Sequence, residues 1–464
     1  MNTPITDVRQ LTPDLLENFT HHVLEQMRAL RVPGVAIGLH TPWETYELCL
    51  GVTSVDHPLP VTADTLFQIG STTKTVTATI LMRLVEAGQV HLDEHVRTYL
   101  PDLRLQSEDV AARVTVRQLL NHTAGWVGDY FENTGNGDDA LTRIVANLAD
   151  QEQITPLGEV WSYNNAAFYV AGRVIEVVTG MTYEQAARRF VLDPLSLDAS
   201  FFFQDDVMTR SFAVGHIVKG DRAVVARPWG LPRSANPAGG LASSVRDQLA
   251  YARFHMGDGT APSGERLLSP ESMRVLQTPT VRASGGRHMA VSWFVRDVNG
   301  VRFLSHGGAT NGQMSAFVLA PDLGFAFTSL TNADLGEVLN KSVQQWVWEH
   351  LLGIQEEEPI FLDVDENTVS DVVGRYLMAG TFGGGVTVSR NGPELLVEFI
   401  PEDYGDLSDT APDPLPPFPA RFCGQDELVA TDGMFKGARV DILRDANGQV
   451  TWLRLGRVMK RQDA

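Results

Sequence analysis

The sequence predicts an α+β or α/β sheet domain carrying a helical insertion, followed by a small all-β domain. Three observations carry this. Strand-like runs lie near the start and return between residues 241 and 328, with a mostly helical stretch at about 90–230 between them. A helix-period segment opens this first unit and another closes it. After residue 370 the pattern changes to short alternating runs separated by turn residues. A chain of 464 residues is also long enough for two or three domains.

In order along the chain, apolar residues at Leu15, Leu16, Phe19, Val23, Leu24, Met27 and Leu30 form a helical stripe. Residues 33–39 read as a strand, with 45–52 returning beside it as a hairpin. Residues 71–86 read as a helix that is apolar on most sides and therefore central and buried, with Gly88 ending it. Further strands are expected at 241–243, 291–295, 302–305 and 324–328. A helix at about 335–352 then returns to the sheet. Residues 1–353 form this first unit. The acidic stretch at 354–369, which includes Glu356, Glu357, Glu358 and Pro359, reads as a linker. Residues 370–464 read as the all-β unit, with strands at 385–389, 394–399, 438–443 and 450–455 and turn pairs Asn391-Gly392 and Asn447-Gly448. The proline-rich run 412–419 is expected to be a loop.

The formal net charge is −20, which disfavours nucleic acid and anionic membrane as partners. No apolar run is long enough to span a bilayer. Met1–Asp7 lacks a basic stretch followed by an apolar run, so a cytoplasmic location is expected. The two cysteines, Cys49 and Cys423, are far apart and are read as buried thiols; neither a disulfide framework nor a metal site is expected.

The chemistry starts at Lys74. It is the only lysine in the first 218 residues of a chain that otherwise uses arginine, and it stands three residues after Ser71 in Gly70-Ser71-Thr72-Thr73-Lys74. A surface cation here would as well have been arginine. A general base would not, because only lysine gives up its proton when desolvated. One helical turn puts both side chains on one face. The helix start favours a developing alkoxide and leaves the Ser71 N–H free for an oxyanion. A second cluster, Trp161-Ser162-Tyr163-Asn164-Asn165, supplies a tyrosine able to hold or share a proton and an amide, Asn165, able to bond a substrate carbonyl. A third, Leu304-Ser305-His306-Gly307-Gly308-Ala309, ends a strand in glycines that let a substrate backbone lie close. Ala309 N–H would be the second oxyanion donor. His306 would stand beside the substrate as a polar or cationic group titrating near neutrality.

Taken together, in this order and spacing, the three clusters resemble the motifs of the serine β-lactamase and penicillin-binding-protein superfamily, closest to its class C-like branch: Ser71/Lys74, Tyr163/Asn165 and His306/Gly308. Residues 116–125, Pro156-Leu157-Gly158 and 239–244 resemble supporting stretches, and the likeness covers roughly 15–353. It implies an antiparallel sheet flanked by helices with an inserted α domain, an acyl-enzyme mechanism on amides or esters, and no metal or cofactor. It also implies catalytic roles for Ser71, Lys74 and Tyr163, oxyanion donors at Ser71 and Ala309, substrate contacts at Asn165, His306, Gly307 and Gly308, and a structural role for His122. His306 stands where β-lactamases and carboxypeptidases of the family hold a carboxylate with lysine. His-x-Gly variants resemble D-stereospecific aminopeptidases and related intracellular peptidases, which carry lipocalin-resembling barrels after the catalytic domain. Such barrels shape the cleft or mediate homo-oligomers, and a loop at 380–385 or the proline-rich run is expected to reach toward Ser71.

The leading reading is a serine peptidase or amidase acting on a small molecule or short peptide, D-aminopeptidase-like. An esterase of the superfamily, a β-lactamase or D-Ala-D-Ala carboxypeptidase, and a non-catalytic binding module remain alternatives.

Overall fold

The computed structural model describes residues 8–355, 358–392, 394–403, 405 and 408–462. The expectations placed on residues 1–7 and on Glu356 and Glu357 lie outside them. The first helix, Pro13–Leu30, starts where Thr12 accepts a hydrogen bond from the Leu15 N–H at 3.3 Å, with Pro13 in the first turn. It ends at Arg31, in left-handed geometry with φ 54°. Its buried stripe, Phe19, Val23 and Met27, packs on one face of the sheet beside Gly336–Val347, where Phe19 meets Trp346 at 4.9 Å between ring centroids.

That sheet has eight antiparallel strands in the order Thr45–Gly51, Gly34–His40, Phe325–Thr331, Gln313–Ala320, Val301–Thr310, Phe294–Val298, His288–Met289 and Val281–Arg282. The N-terminal hairpin pairs with a late strand, Val35 opposite Thr331, so both ends of the first unit meet in one sheet. Period-2 alternation divides the faces. Val35, Ile37 and Leu39 face the terminal helices, whereas Ala36 faces the larger helical core around Thr73–Glu86. That helix is buried nearly throughout, as its all-round apolar pattern requires.

Several boundaries differ from expectation. The 291–295 strand starts later, at Phe294, because Ser292 takes a positive φ of 64° and its N–H bonds Leu120 O. The strand expected at 302–305 runs from Val301 to Thr310 and carries the His306–Ala309 cluster. Gln313–Ala320 was not expected at all. Ala242–Ser243 belongs to a separate three-stranded sheet with Phe67–Gln68 and Ser200–Phe201. The last helix is regular to Val347 and widens over Trp348–Leu352 before Gly353. Within the expected linker, Asp365 caps a helix, Glu366–Val372, by accepting from the Thr368 N–H at 2.8 Å. Pro419 is not in a loop: it pairs with Leu396 inside strand Phe418–Gly424. Cys49 and Cys423 are free and half-buried rather than fully buried.

From Gly374 to Arg461 eight strands close into an antiparallel barrel filled by Tyr376, Val386, Val397, Phe418, Leu428, Ile442 and Leu453. Closure leaves no free sheet edge. Among the described residues, no helix is long and apolar enough to cross a membrane.

Among the described residues, the buried carboxyl of Asp247 has no ion-pair partner. Asp247, in helix Val245–Met256, accepts from Ala199 N–H and Ser200 Oγ at 2.8 Å each. Burial pushes it up to about 6 against these bonds. A raised carboxyl binds its proton more tightly in the folded state. Its contribution is therefore full below the unfolded value near 4 and is lost as pH rises through about 6. Asp247→Asn keeps the acceptor oxygen and removes the charge. We expect urea unfolding to show the variant gaining about 3 kcal/mol on wild type between pH 4 and 7. A difference independent of pH would exclude this assignment.

Candidate active site

Ser71 sits in a single 3₁₀ turn, Gly70–Thr72, and the α-helix proper begins at Thr73, two residues later than expected. The Ser71 side chain caps neither segment. The turn is fixed from several sides. Thr73 Oγ1 donates to Gly70 O at 2.7 Å, Ser315 Oγ donates to Ile69 O at 2.8 Å, and Ile69 N–H donates to Leu241 O at 3.0 Å. Strand Val301–Thr310 crosses it at backbone contact. A Cβ on Gly308 would lie 1.9 Å from Ile69 O and 2.7 Å from Ser71 N, and one on Gly70 would lie 2.6 Å from Ala309 N. The glycines therefore bring the backbones of Ser71 and Ala309 together. Gly307 and Ala309 are exposed. Residues 306–310 pair on one side with 313–317, while Phe294–Val298 on the other side pairs only as far as Ser305.

Lys74 is fully buried and makes three contacts: Nζ to Ser71 Oγ at 3.0 Å, to Asn165 Oδ1 at 2.6 Å and to Ala238 O at 2.6 Å. Two of the three partners can only accept. A neutral amine has two N–H groups for them and one lone pair left, directed at the Ser71 hydroxyl. Burial first, and then the charge of Arg457, hold the Lys74 amine well below the usual lysine range, with Asp129 opposing.

Asn165 does not present a free amide. Its Nδ2 donates to Asp129 Oδ1 at 2.6 Å while its Oδ1 accepts from Lys74. The acceptor-only carboxylate fixes the amide's orientation. Asn165, expected to bond substrate, thus also holds the amine. Tyr163 is half-buried as a residue, yet the groups crowded around its hydroxyl desolvate it. Burial pushes the phenol well above its ordinary value, against a hydrogen bond with Ser71 and the nearby Arg457. The Tyr163 ring centroid lies 5.0 Å from Lys74 Nζ. Of the two states open to it, holding or sharing the proton, burial favours the neutral phenol.

His306 also departs from expectation. It is buried, its Nδ1 donates to Gly307 O at 2.7 Å, and burial, followed by Lys74, holds it down to about 3. It stands between Phe294 and Tyr163 as a neutral ring and does not titrate near neutrality. His122 has a positive φ of 61°, stacks on Tyr163 at 4.3 Å, and accepts from the Asn164 N–H at 3.0 Å. Burial holds it neutral too.

Sequence reasoning missed two charged residues here, Asp129 and Arg457. Arg457 comes from the barrel, just after Gly456 at the turn between strands Val450–Leu455 and Arg457–Arg461. It ion-pairs with Asp129, donating to Oδ1 at 3.1 Å, and its guanidinium lies 5.0 Å from the Tyr163 ring centroid. A chain of contacts thus runs Ser71, Lys74, Asn165, Asp129, Arg457. Both barrel segments considered for reaching toward Ser71 pack on the first unit. Thr381 N–H donates to Asp129 O and Thr381 Oγ1 accepts from Phe131 N–H at 2.8 Å. The proline-rich region meets Lys219 and Arg227 through Asp413 and Asp409.

The sequence model of the Beta-lactamase family matches residues 19–351. Penicillin-binding protein 4 of Amycolatopsis lactamdurans is 34% identical over 379 residues, covering 78% of this chain and 98% of that protein. Among solved structures, SurE covers 96% of this chain and 99% of its own at 24% identity, with a TM-score of 0.74; its structure with D-Leu gives 0.72. The octameric penicillin-binding protein homologue from Pyrococcus abyssi covers 96% of this chain and 100% of its own, at 22% identity and a TM-score of 0.64. The domain that carries Ser71, Lys74 and Tyr163 is thus matched along nearly its whole length, and the chain belongs to the β-lactamase and penicillin-binding-protein superfamily of serine hydrolases.

Proposed function

We propose that the chain is a hydrolase that forms an acyl-enzyme on Ser71 from a small amide or short peptide, D-aminopeptidase-like in its preference. The observation that carries this is Lys74, a desolvated amine whose two carbonyl partners leave its lone pair for the Ser71 hydroxyl. Ser71 Oγ attacks the substrate carbonyl as its proton passes to Lys74. The N–H groups of Ser71 and Ala309 hold the oxyanion where the two backbones meet. The proton then reaches the leaving group from Lys74, directly or through the Tyr163 phenol. Water, activated by the same pair, releases the acyl group. The pair titrates as one coupled unit.

Asp129 and Arg457 balance each other's charge, so a neutral Lys74 leaves the buried site uncharged overall, the less costly state. A neutral His306 does not offer a substrate carboxylate the charge a lysine would, which disfavours the β-lactamase and carboxypeptidase readings. SurE has been solved with D-Leu, and D-aminoacyl substrates are accordingly the first to try.

The test is a hydrolysis panel of D- and L-aminoacyl p-nitroanilides, short p-nitrophenyl esters and nitrocefin, with Ser71→Ala as control. Selective, Ser71-dependent cleavage of D-aminoacyl amides is expected. Cleavage of esters alone would move the assignment to esterase. Turnover that survives Ser71→Ala would remove the nucleophile.

A further inference from the structure

The barrel grips the catalytic domain by the segment that carries Tyr163. Tyr163 N–H donates to Gly456 O at 3.1 Å, and Val458 N–H donates to Ser162 Oγ at 3.2 Å. Two residues before the turn, Arg454 is buried together with Asp441, its register partner on the neighbouring barrel strand. Arg454 Nε donates to Asp441 Oδ2 at 2.9 Å. Its other two nitrogens leave the barrel: one donates to Trp161 O at 3.1 Å and the other to Ala283 O at 3.3 Å. The guanidinium also lies 5.7 Å from the Trp161 ring centroid. A buried arginine is expensive to keep unless it is paired and hydrogen-bonded. Here these bonds engage three of its five N–H groups, one on the carboxylate and two on main-chain carbonyls of the other domain.

We propose that Arg454 is a positioning residue for the reaction: anchored by Asp441, it clamps the Trp161 carbonyl and, with Gly456, sets where the Tyr163 hydroxyl stands relative to Ser71. The inference rests on the reading of Tyr163 as catalytic. It assigns the barrel's last hairpin to the active-site framework, so the barrel is needed for the chemical step even though it supplies neither nucleophile nor base. Arg454 touches no reacting atom. Its effect passes through two residues of backbone, and displacements of about 1 Å at a catalytic group cost on the order of a hundredfold in rate.

The experiment uses the full chain and a fluorophosphonate probe that labels Ser71, followed across pH, so that no knowledge of the substrate is needed. Tyr163→Phe and Ser71→Ala are run alongside. Two variants probe the clamp. Arg454→Lys keeps the charge and the partner but cannot span both carbonyls. Arg454→Met with Asp441→Leu removes the ion pair while retaining packing volume. We expect the double variant to label at least tenfold more slowly with a displaced pH profile, and Arg454→Lys to fall between it and wild type with an unchanged melting temperature. Wild-type rate and pH profile in a folded Arg454→Lys or double variant would overturn the proposal. So would slow labelling with an unmoved pH profile, because that is what loosened packing alone gives. If Tyr163→Phe itself labels like wild type, the catalytic reading of Tyr163 has failed first, and the controls tell the two failures apart.

Discussion

Lys74→Arg reduces acylation of Ser71 by roughly a thousandfold or more, although the formal charge is retained. General-base catalysis by a positioned side chain is worth about 10²–10⁴-fold, and the site gives arginine no way to supply it. The guanidinium has no lone pair to turn toward Ser71 and keeps its proton at any pH the fold tolerates. It would also have to fit a space in which Nζ already lies 2.6 Å from both Asn165 Oδ1 and Ala238 O. Lys74→Met separates lost chemistry from overcrowding, since it fills similar volume without charge, and the same loss is expected. Activity within about tenfold of wild type in a folded Lys74→Met protein would rule out the base. The pH profile follows from the same burial. The reactive form is the neutral amine, so kcat/KM is lost as pH falls through the Lys74 value, which lies well below that of ordinary lysine. His306, held down to about 3, does not account for an acid limb near neutrality.

The candidate cluster stood out because its residues are chemically unusual for their places. A lone lysine in an arginine-using chain stood out; the glycines after His306 read as room for a substrate backbone, whereas at Gly308 the backbone that lies close is the chain's own, at Ile69 and Ser71. The burial of each group was not legible. His306 reads as a titrating ring until it is found enclosed by Phe294, Tyr163 and its own neighbour's carbonyl. Asn165 reads as a free amide until Asp129 and Lys74 are seen to occupy its two ends. Strand Gln313–Ala320 was missed although it lies mid-sheet, since the run from Gly307 to Gly312 reads as a turn and masks the strand that begins just beyond it.

Arg454 and Arg457 were hidden by a sound general rule, that charges in an alternating β segment face water. The signal against it is local. Asp441 interrupts Val440 and Ile442 on one strand, and Arg454 interrupts Leu453 and Leu455 on the next. Opposite charges set inside consecutive apolar runs point to a buried pair. Why the pair is oriented toward the other domain becomes visible only when Trp161 and Ala283 are brought to it.

Gly308→Ala is expected to cost on the order of 10²–10³-fold in Ser71 acylation, while Gly307→Ala stays within about threefold of wild type. The two glycines are adjacent, and only geometry separates them. An added methyl on Gly307 meets its nearest neighbour, Ser315 O, at 3.2 Å, which a small shift accommodates. On Gly308 it would stand 1.9 Å from Ile69 O and 2.7 Å from Ser71 N, both main-chain atoms, and Ile69 O is also held by Ser315 Oγ. The strand or the turn must retreat, and either motion separates the Ser71 and Ala309 N–H groups that the mechanism places on one oxyanion. Loss of a single oxyanion donor costs about 10²–10³ in rate. The fold tolerates the change better than the chemistry does, because residues 306–310 are held by strand pairing only on the side of 313–317, the Phe294–Val298 pairing having ended at Ser305. Labelling rates and thermal melts of the two variants, measured side by side, decide the matter. Equal labelling by both would mean that the backbone approach at Gly308 has no part in the chemistry. A Gly308→Ala protein that has lost labelling but kept its melting transition would assign that approach to the acylation step.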